Sequence, residues 1–183
     1  RRDSSRITVQ FAATIERNSY EYFKNWYTPA IRELLNFFPF DGDYARLGAS
    51  LMPPITARQA KEAVGVLERL GVIERLESGG FRLTDQFVST GPQWRDMAIA
   101  RFQQQMSQLA VESLDSVPHE HRDISTLTVS TSWECLKAIG ERLAEVRHEI
   151  LGMIKEEENV DEVFQINLQI FPLSRVGKKE GEK

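Results

Sequence analysis

The sequence predicts an α+β fold for this chain of 183 residues. Three observations support the prediction. Apolar residues recur at helical spacing over residues 20–38 and 56–70, two short β-like runs flank a glycine turn near residue 79, and two alternating β-branched runs enclose a long helical pattern further on. A hydrophobic content of 41% is ordinary for a globular protein and allows a buried core without disulfides or metals.

The first helical pattern covers residues 20–38. Its apolar side chains recur every three or four residues, which is typical of an amphipathic helix. Pro29 lies inside the pattern and removes one backbone donor, so we expect a kink or a break near Tyr27 and Thr28.

Two further helices are marked by their N-terminal capping residues. Asp43 follows a short loop and can cap a helix that runs to about Leu51. Thr56 and Gln59 form a capping-box pattern ahead of an apolar stripe that ends at Leu70.

A β-hairpin is predicted directly after this third helix. Gly71 follows the helix where a left-handed residue is expected, and residues 72–75 and 81–84 read as strands around Ser78, Gly79 and Gly80. Three helices followed by a hairpin describe a winged helix-turn-helix, which we assign to residues 20–89. Residues 1–19 are predicted to be a linker or an N-terminal arm.

The second half is predicted to be a helix-strand-helix-strand segment over residues 90–175. The helices are expected at residues 90–114 and 132–158, and the strands at 124–130 and 163–171. Because a two-stranded sheet is marginal alone, we interpret this half as a dimerisation or regulatory segment and expect a homodimer. Residues 176–183 are Gly, Lys, Glu and Val and are predicted to be a disordered tail.

The charge distribution limits the classes of partner. The net charge is −4, made up of +2 over residues 1–19, −1 over 20–90, −6 over 91–175 and +1 over the tail. No segment has the strongly basic character of a dedicated nucleic-acid binder. No apolar run is long enough for a membrane span, and one cysteine permits no internal disulfide, so a cytoplasmic location is expected.

A DNA-binding surface is the leading hypothesis for the third helix and the hairpin. Arginine, lysine and glutamine side chains can contact phosphates or base edges in the major groove. The candidate residues are Arg58, Gln59, Lys61, Arg69, Arg75 and Arg82. The alternative interpretation is an ordinary solvated face, because Glu62, Glu68 and Glu74 lie among these cations.

Signals for catalysis or for a cofactor are weak. His119 and His121 are two residues apart with no identifiable third metal ligand, and Cys135 has no assignable His or Asn partner. The sequence contains no nucleophile elbow, phosphate loop or paired-carboxylate signature. We therefore expect a non-enzymatic protein with no metal and no cofactor. The aromatic side chains at helical spacing are interpreted as core rather than as a ligand pocket: Tyr22, Phe23, Trp26, Trp94, Phe102 and Trp133.

Four stretches resemble an uncharacterised bacterial family described as transcriptional regulators. They are YFKNWYTPAIREL at 22–34, LTDQFVSTG at 83–91, RDISTLTV at 122–129 and FQINLQIFPLSR at 164–175. The resemblance is to the C-terminal domain of that family, whose members typically carry a lambda-repressor-like helix-turn-helix upstream. It implies no catalytic activity and implies that such an upstream reader is not part of this sequence.

Together these observations predict the regulatory and dimerising part of a transcription regulator, which contacts DNA through its winged helix. The alternative is a protein-interaction or ligand-sensing module that does not bind nucleic acid. The identity of any small-molecule effector is left open.

Overall fold

The computed structural model describes residues 20–84 and 97–175. The predicted N-terminal arm, the predicted domain boundary between residues 89 and 90, and the predicted tail lie outside the described residues. Contacts along the chain divide it into two units. The described residues of the first unit are 20–84, 97–123 and 160–165, and those of the second are 124–159 and 166–175.

The first helical pattern is interrupted, as Pro29 predicts. Residues 20–23 are helical, and helix α1 then spans Tyr27–Leu34. The break lies at residues 24–26, slightly earlier than expected. It places Pro29 in the first turn of α1, where a missing backbone donor costs no hydrogen bond.

The capping residues start the next two helices as predicted. Helix α2 spans Tyr44–Ala49, and the Asp43 carboxylate accepts hydrogen bonds from the amides of Ala45 and Arg46 at 2.9 and 3.0 Å. Helix α3 spans Ala57–Arg69 behind a complete capping box. These bonds satisfy backbone donors that a helix start otherwise leaves unpaired.

The predicted hairpin is present as a small antiparallel sheet. Strand β1 spans Ile73–Arg75 and strand β2 spans Phe81–Leu83, with Glu74 opposite Arg82. The turn between them contains Gly79, whose φ of 92° is a conformation that only glycine adopts without strain.

Two long helices follow. Helix α4 spans Met97–Ser116, and helix α5 spans Trp133–Lys155, with the Ser132 hydroxyl as its predicted cap. A single 3-10 turn lies between them at His119–His121. In the described residues, no helix is both long enough and apolar enough to cross a membrane.

The helix-strand-helix-strand pattern needs correction in its two strands. Residues 124–130 and 163–171 are neither helix nor strand, and the sheet formed by the described residues consists of β1 and β2. Alternation and β-branched side chains favour an extended backbone, but strand formation depends on tertiary context that the local pattern does not specify. The described residues therefore form a helix-dominated α+β fold with one two-stranded sheet.

The hydrophobic core lies in the first unit. It joins α1, α2, α3, the hairpin and α4, and its fully buried members include Ile31, Leu47 and Leu67, each 0% exposed. The aromatic residues divide. Tyr22 and Phe23 are core residues, Trp26 and Phe102 pack against them, and Trp94 lies outside the described residues. Trp133 was expected in the core and is instead 75% exposed.

Candidate nucleic-acid interface

Helix α3 has one buried and one exposed face. Ala60, Ala63, Val64 and Leu67 are buried against α1, α2 and the hairpin. Arg58 and Lys61 lie on the exposed side at a spacing of three residues, so they are neighbours on the helix surface. The apolar stripe determines which face of α3 is exposed, because its burial turns the intervening polar positions towards solvent.

The approach of α2 to the start of α3 depends on Gly48. The Ile55 amide donates to the Gly48 carbonyl at 3.0 Å. A Cβ atom added to Gly48 would lie 2.5 Å from the Ile55 carbonyl oxygen. Only glycine permits this approach, and the resulting turn fixes how α3 projects from the unit.

Gln59 is committed to the helix cap. Its Oε1 accepts from the Thr56 amide at 2.9 Å and from the Thr56 hydroxyl at 2.8 Å. The Gln59 side chain is also hydrogen-bonded to Tyr27, and burial raises the pKa of that phenol. The side-chain amide of Gln59 is therefore already used in hydrogen bonds within the protein.

Two exposed arginines are each matched by a glutamate. The Arg58 Nε atom lies 3.7 Å from Glu62 on the next turn of α3. Across the hairpin, an Arg82 Nη atom lies 2.5 Å from Glu74, its directly paired residue. The side chains of Arg58 and Arg82 are 85% and 68% exposed, so both cations can reach a partner in solvent.

Arg75 contacts residues of both α3 and the hairpin. Its Nε atom donates to Glu68 at 3.1 Å, and its guanidinium lies 4.6 Å from the centre of the Phe81 ring. The hydrogen bond from Arg75 to Glu68, and then the one to Tyr44, raise the pKa of Arg75 above its ordinary value. This residue links α3 to the hairpin.

Arg69 lies at the far end of α3 and is ion-paired with Glu21. Both side chains line an open groove of about 440 Å³ between residues 20–28 and α3, together with Lys24 and Glu62. The structure thus separates Arg69 from the N-terminal half of α3, where Arg58 and Lys61 lie. Lys61 forms no ion pair with any residue that the structure describes.

The polar contact that fixes the hairpin to α1 was not anticipated from the sequence. Arg32 is 6% exposed, donates to the Thr84 carbonyl at 2.9 Å and pairs with Glu33 at 2.6 Å. The Thr84 hydroxyl in turn donates to the Gly71 carbonyl at 2.7 Å. No pattern in the sequence links Arg32 to Thr84, because the two residues are 52 positions apart.

The other candidate ligands do not converge. Within residues 20–84 and 97–175, no group of three or more His, Cys, Asp or Glu side chains is arranged to hold a metal ion. Cys135 is exposed in the first turn of α5, and its amide donates to the Ser132 hydroxyl at 3.1 Å.

The described residues thus define a helix-dominated α+β structure in which four of the five candidate cations are paired with carboxylates: Arg58, Arg69, Arg75 and Arg82. Residues 9–173 match the family model described as a domain of unknown function, DUF4423, and the chain belongs to this family. Neither the comparison with curated proteins nor the comparison with solved structures found a match.

Proposed function

We propose that the chain is a non-enzymatic, regulatory and dimerising part of a bacterial transcription regulator, with residues 20–84 acting as a winged helix. The observation that carries the proposal is the order α1, α2, α3, β1, β2 around one core, with the N-terminal half of α3 exposed. In winged helices the third helix enters the major groove and the hairpin lies beside it. Here Arg58 and Lys61 would face the groove, and Arg82 would face the phosphate backbone.

The contact with DNA is proposed to be weak. Residues 20–84 contain eight basic and eight acidic side chains, so their formal charge is zero. An exposed ion pair contributes about 0–1 kcal/mol, so a phosphate can displace Glu62 from Arg58. The displaced carboxylate stays close to that phosphate, however, and reduces the gain. We therefore propose that an upstream helix-turn-helix reads the operator and that this unit adds backbone contacts beside it.

A titration into fluorescent duplex DNA, followed by anisotropy at several salt concentrations, tests this proposal. We expect binding in the micromolar range or weaker at physiological salt, since only a few phosphates are neutralised. The logarithm of affinity is expected to fall with the logarithm of salt concentration with a slope of about −2 to −3, corresponding to Arg58, Lys61 and Arg82.

Matched variants separate the proposed surface from general charge effects. Lys61→Gln and Arg82→Gln are each expected to weaken binding and to reduce the salt slope by about one. Arg46→Gln is the control, because Arg46 is paired with Asp41 at 2.9 Å on α2 rather than on α3 or the hairpin. An absence of binding at low salt, or equal losses in all three variants, contradicts DNA contact through this surface.

The second candidate is a protein-interaction or ligand-sensing module. It is favoured by the same neutralised surface, because four of the five cations among the candidate residues already have a carboxylate partner. On this interpretation, the groove beside Arg69 and Lys24 is the candidate binding site.

A further inference from the structure

Helix α5 carries a continuous apolar stripe that the chain covers only in part. The stripe has the alternating three- and four-residue spacing of a two-helix seam. Its six members are Leu136, Ile139, Leu143, Val146, Ile150 and Met153. None of the 23 residues of α5 is buried: Ile139 and Met153 are 37% and 71% exposed, and the other four members of the stripe are half-buried.

The other described residues of the second unit do not provide a core either. No described residue of this unit falls into the buried class, whether in α5 or in the segments on either side of it. Most helices in proteins are stabilised by the packing of an apolar face rather than by intrinsic propensity. Because none of the six apolar residues is fully buried, the stripe has apolar surface available for a further packing partner.

The two edges of the stripe differ in charge. One edge carries Arg142 and Glu149, whose side chains lie 3.4 Å apart. The other edge carries Gly140 and Arg147, and a Cβ atom added to Gly140 would have no heavy atom within 4 Å. The distribution of these four residues distinguishes between the two possible orientations of a second identical helix.

We propose that α5 packs antiparallel against α5 of a second copy of this chain. The inference rests on the dimerising role in the proposed function and is independent of DNA contact. Pairing Leu143 with Val146 of the second copy aligns all six apolar residues of both helices. The same register places Arg142 opposite the second copy's Glu149, twice by symmetry.

The parallel arrangement is electrostatically unfavourable. It would place Arg142 opposite Arg147 of the second copy, also twice, so like charges would meet at both edges. The antiparallel register also brings Trp133, 75% exposed, to Ile154, 56% exposed, at each end of the seam. At the other edge the antiparallel register places Gly140 opposite Arg147 of the second copy. Because Gly140 has no side chain, there is room for the arginine.

Thiol cross-linking tests the direction of the helices. In the antiparallel register Cys135 faces Glu156 of the second copy, whereas these residues are about 31 Å apart on one helix. A short bis-maleimide is expected to cross-link Glu156→Cys into a covalent dimer. Wild type, with Cys135 alone, and Lys155→Cys, which points away from the seam, are the controls and are expected to remain uncross-linked. Cross-linking of wild type would indicate parallel helices and would overturn the proposal.

Charge reversal tests the pairing itself. Arg142→Glu and Glu149→Arg are each expected to raise the dimer dissociation constant roughly tenfold or more, as measured by sedimentation. The double variant exchanges the two charges and is expected to return to within about threefold of wild type. Glu141→Lys, on the outward face, is the control and is expected to leave the constant unchanged.

The result can be separated from that of the DNA titration. A chain that stays monomeric at high micromolar concentration, or a dimer that Arg142→Glu leaves intact, overturns the antiparallel seam. A monomer that still binds DNA would leave the winged-helix proposal standing, whereas a dimer without DNA binding would support the seam alone.

Discussion

Tyr22 places a phenol in the core near a buried cation. Burial raises the pKa of Tyr22 to about 12, and the nearby Arg32 guanidinium offsets part of that effect. The neutral phenol is therefore the form that the folded chain prefers. The buried charge of Arg32 is stabilised by hydrogen bonds that its guanidinium donates to the Thr84 carbonyl and to the Glu33 carboxylate.

This environment predicts a loss of stability in alkaline solution. The pKa of Tyr22 is higher in the folded chain than its ordinary value of 10.0, so its contribution is complete below pH 10 and is lost as the pH rises towards 12. For this one group the free energy of unfolding falls by up to about 1.4 kcal/mol per pH unit in that range.

Urea unfolding of wild type and Tyr22→Phe from pH 9 to pH 11.5 measures the effect. The variant is expected to show a shallower alkaline decline. Tyr20→Phe is the control, because Tyr20 is 37% exposed, and it is expected to follow wild type. Parallel declines for wild type and Tyr22→Phe would assign the alkaline loss to other groups.

Individual side-chain roles could be predicted from the sequence only where the interaction is local. The pairing of Thr56 with Gln59 depends on a spacing of three residues, and the structure confirms it. The bond from Arg32 to Thr84 joins residues 52 positions apart, and no local pattern indicates it. The exposure of Arg58 and Lys61 follows from the stripe of α3, whereas the carboxylate partner of Arg69 comes from a distant segment.

At the scale of secondary structure elements, Gly48 determines how closely α2 approaches the start of α3. The substitution Gly48→Ala forces a methyl group to 2.5 Å from the Ile55 carbonyl oxygen. Overpacking of this kind costs about 1–3 kcal/mol. The gain in helix propensity is only about 1 kcal/mol, so we expect a net loss of stability.

Gly65→Ala provides the matched control within α3. A Cβ atom at Gly65 has no heavy atom within 4 Å, so the alanine gains propensity without a clash. We expect Gly65→Ala to raise the free energy of unfolding by about 1 kcal/mol, measured by the same urea titration. Equal effects of the two substitutions would show that the turn at Gly48 relaxes freely.

Helices and hairpin were predictable because their signals are short-range. Asp43, Thr56 and Ser132 cap the helices that their positions predict, and Gly79 forms the predicted turn. The predicted strands at 124–130 and 163–171 differ from the structure, which has neither helix nor strand there. A helix completes its hydrogen bonds within itself, whereas a strand requires a neighbour that its own sequence does not specify.

At the scale of the whole molecule, burial is concentrated in the first unit. Every fully buried large side chain among the described residues lies between Thr28 and Ile73, whereas α5 has none. The described residues of the first unit therefore have a hydrophobic core of their own. The second unit depends, in our proposal, on a second copy of the chain.

Hydrogen exchange at two protein concentrations tests this division. Amides of α3 are expected to exchange at rates that do not depend on concentration, because Leu67 and Val64 hold the helix within one chain. Amides of α5 are expected to become more protected as the concentration rises. Protection of α5 that equals that of α3 at the lowest concentration would contradict the division.

The carboxylates beside the exposed arginines have a consequence for how such a surface changes during evolution. Glu62, Glu68 and Glu74 neutralise cations that are already in place and already exposed. Replacement of these glutamates by glutamine would raise the formal charge of residues 20–84 by three without any new long side chain. None of the three glutamates is a core residue, so the charge of this surface can change while the hydrophobic core stays the same.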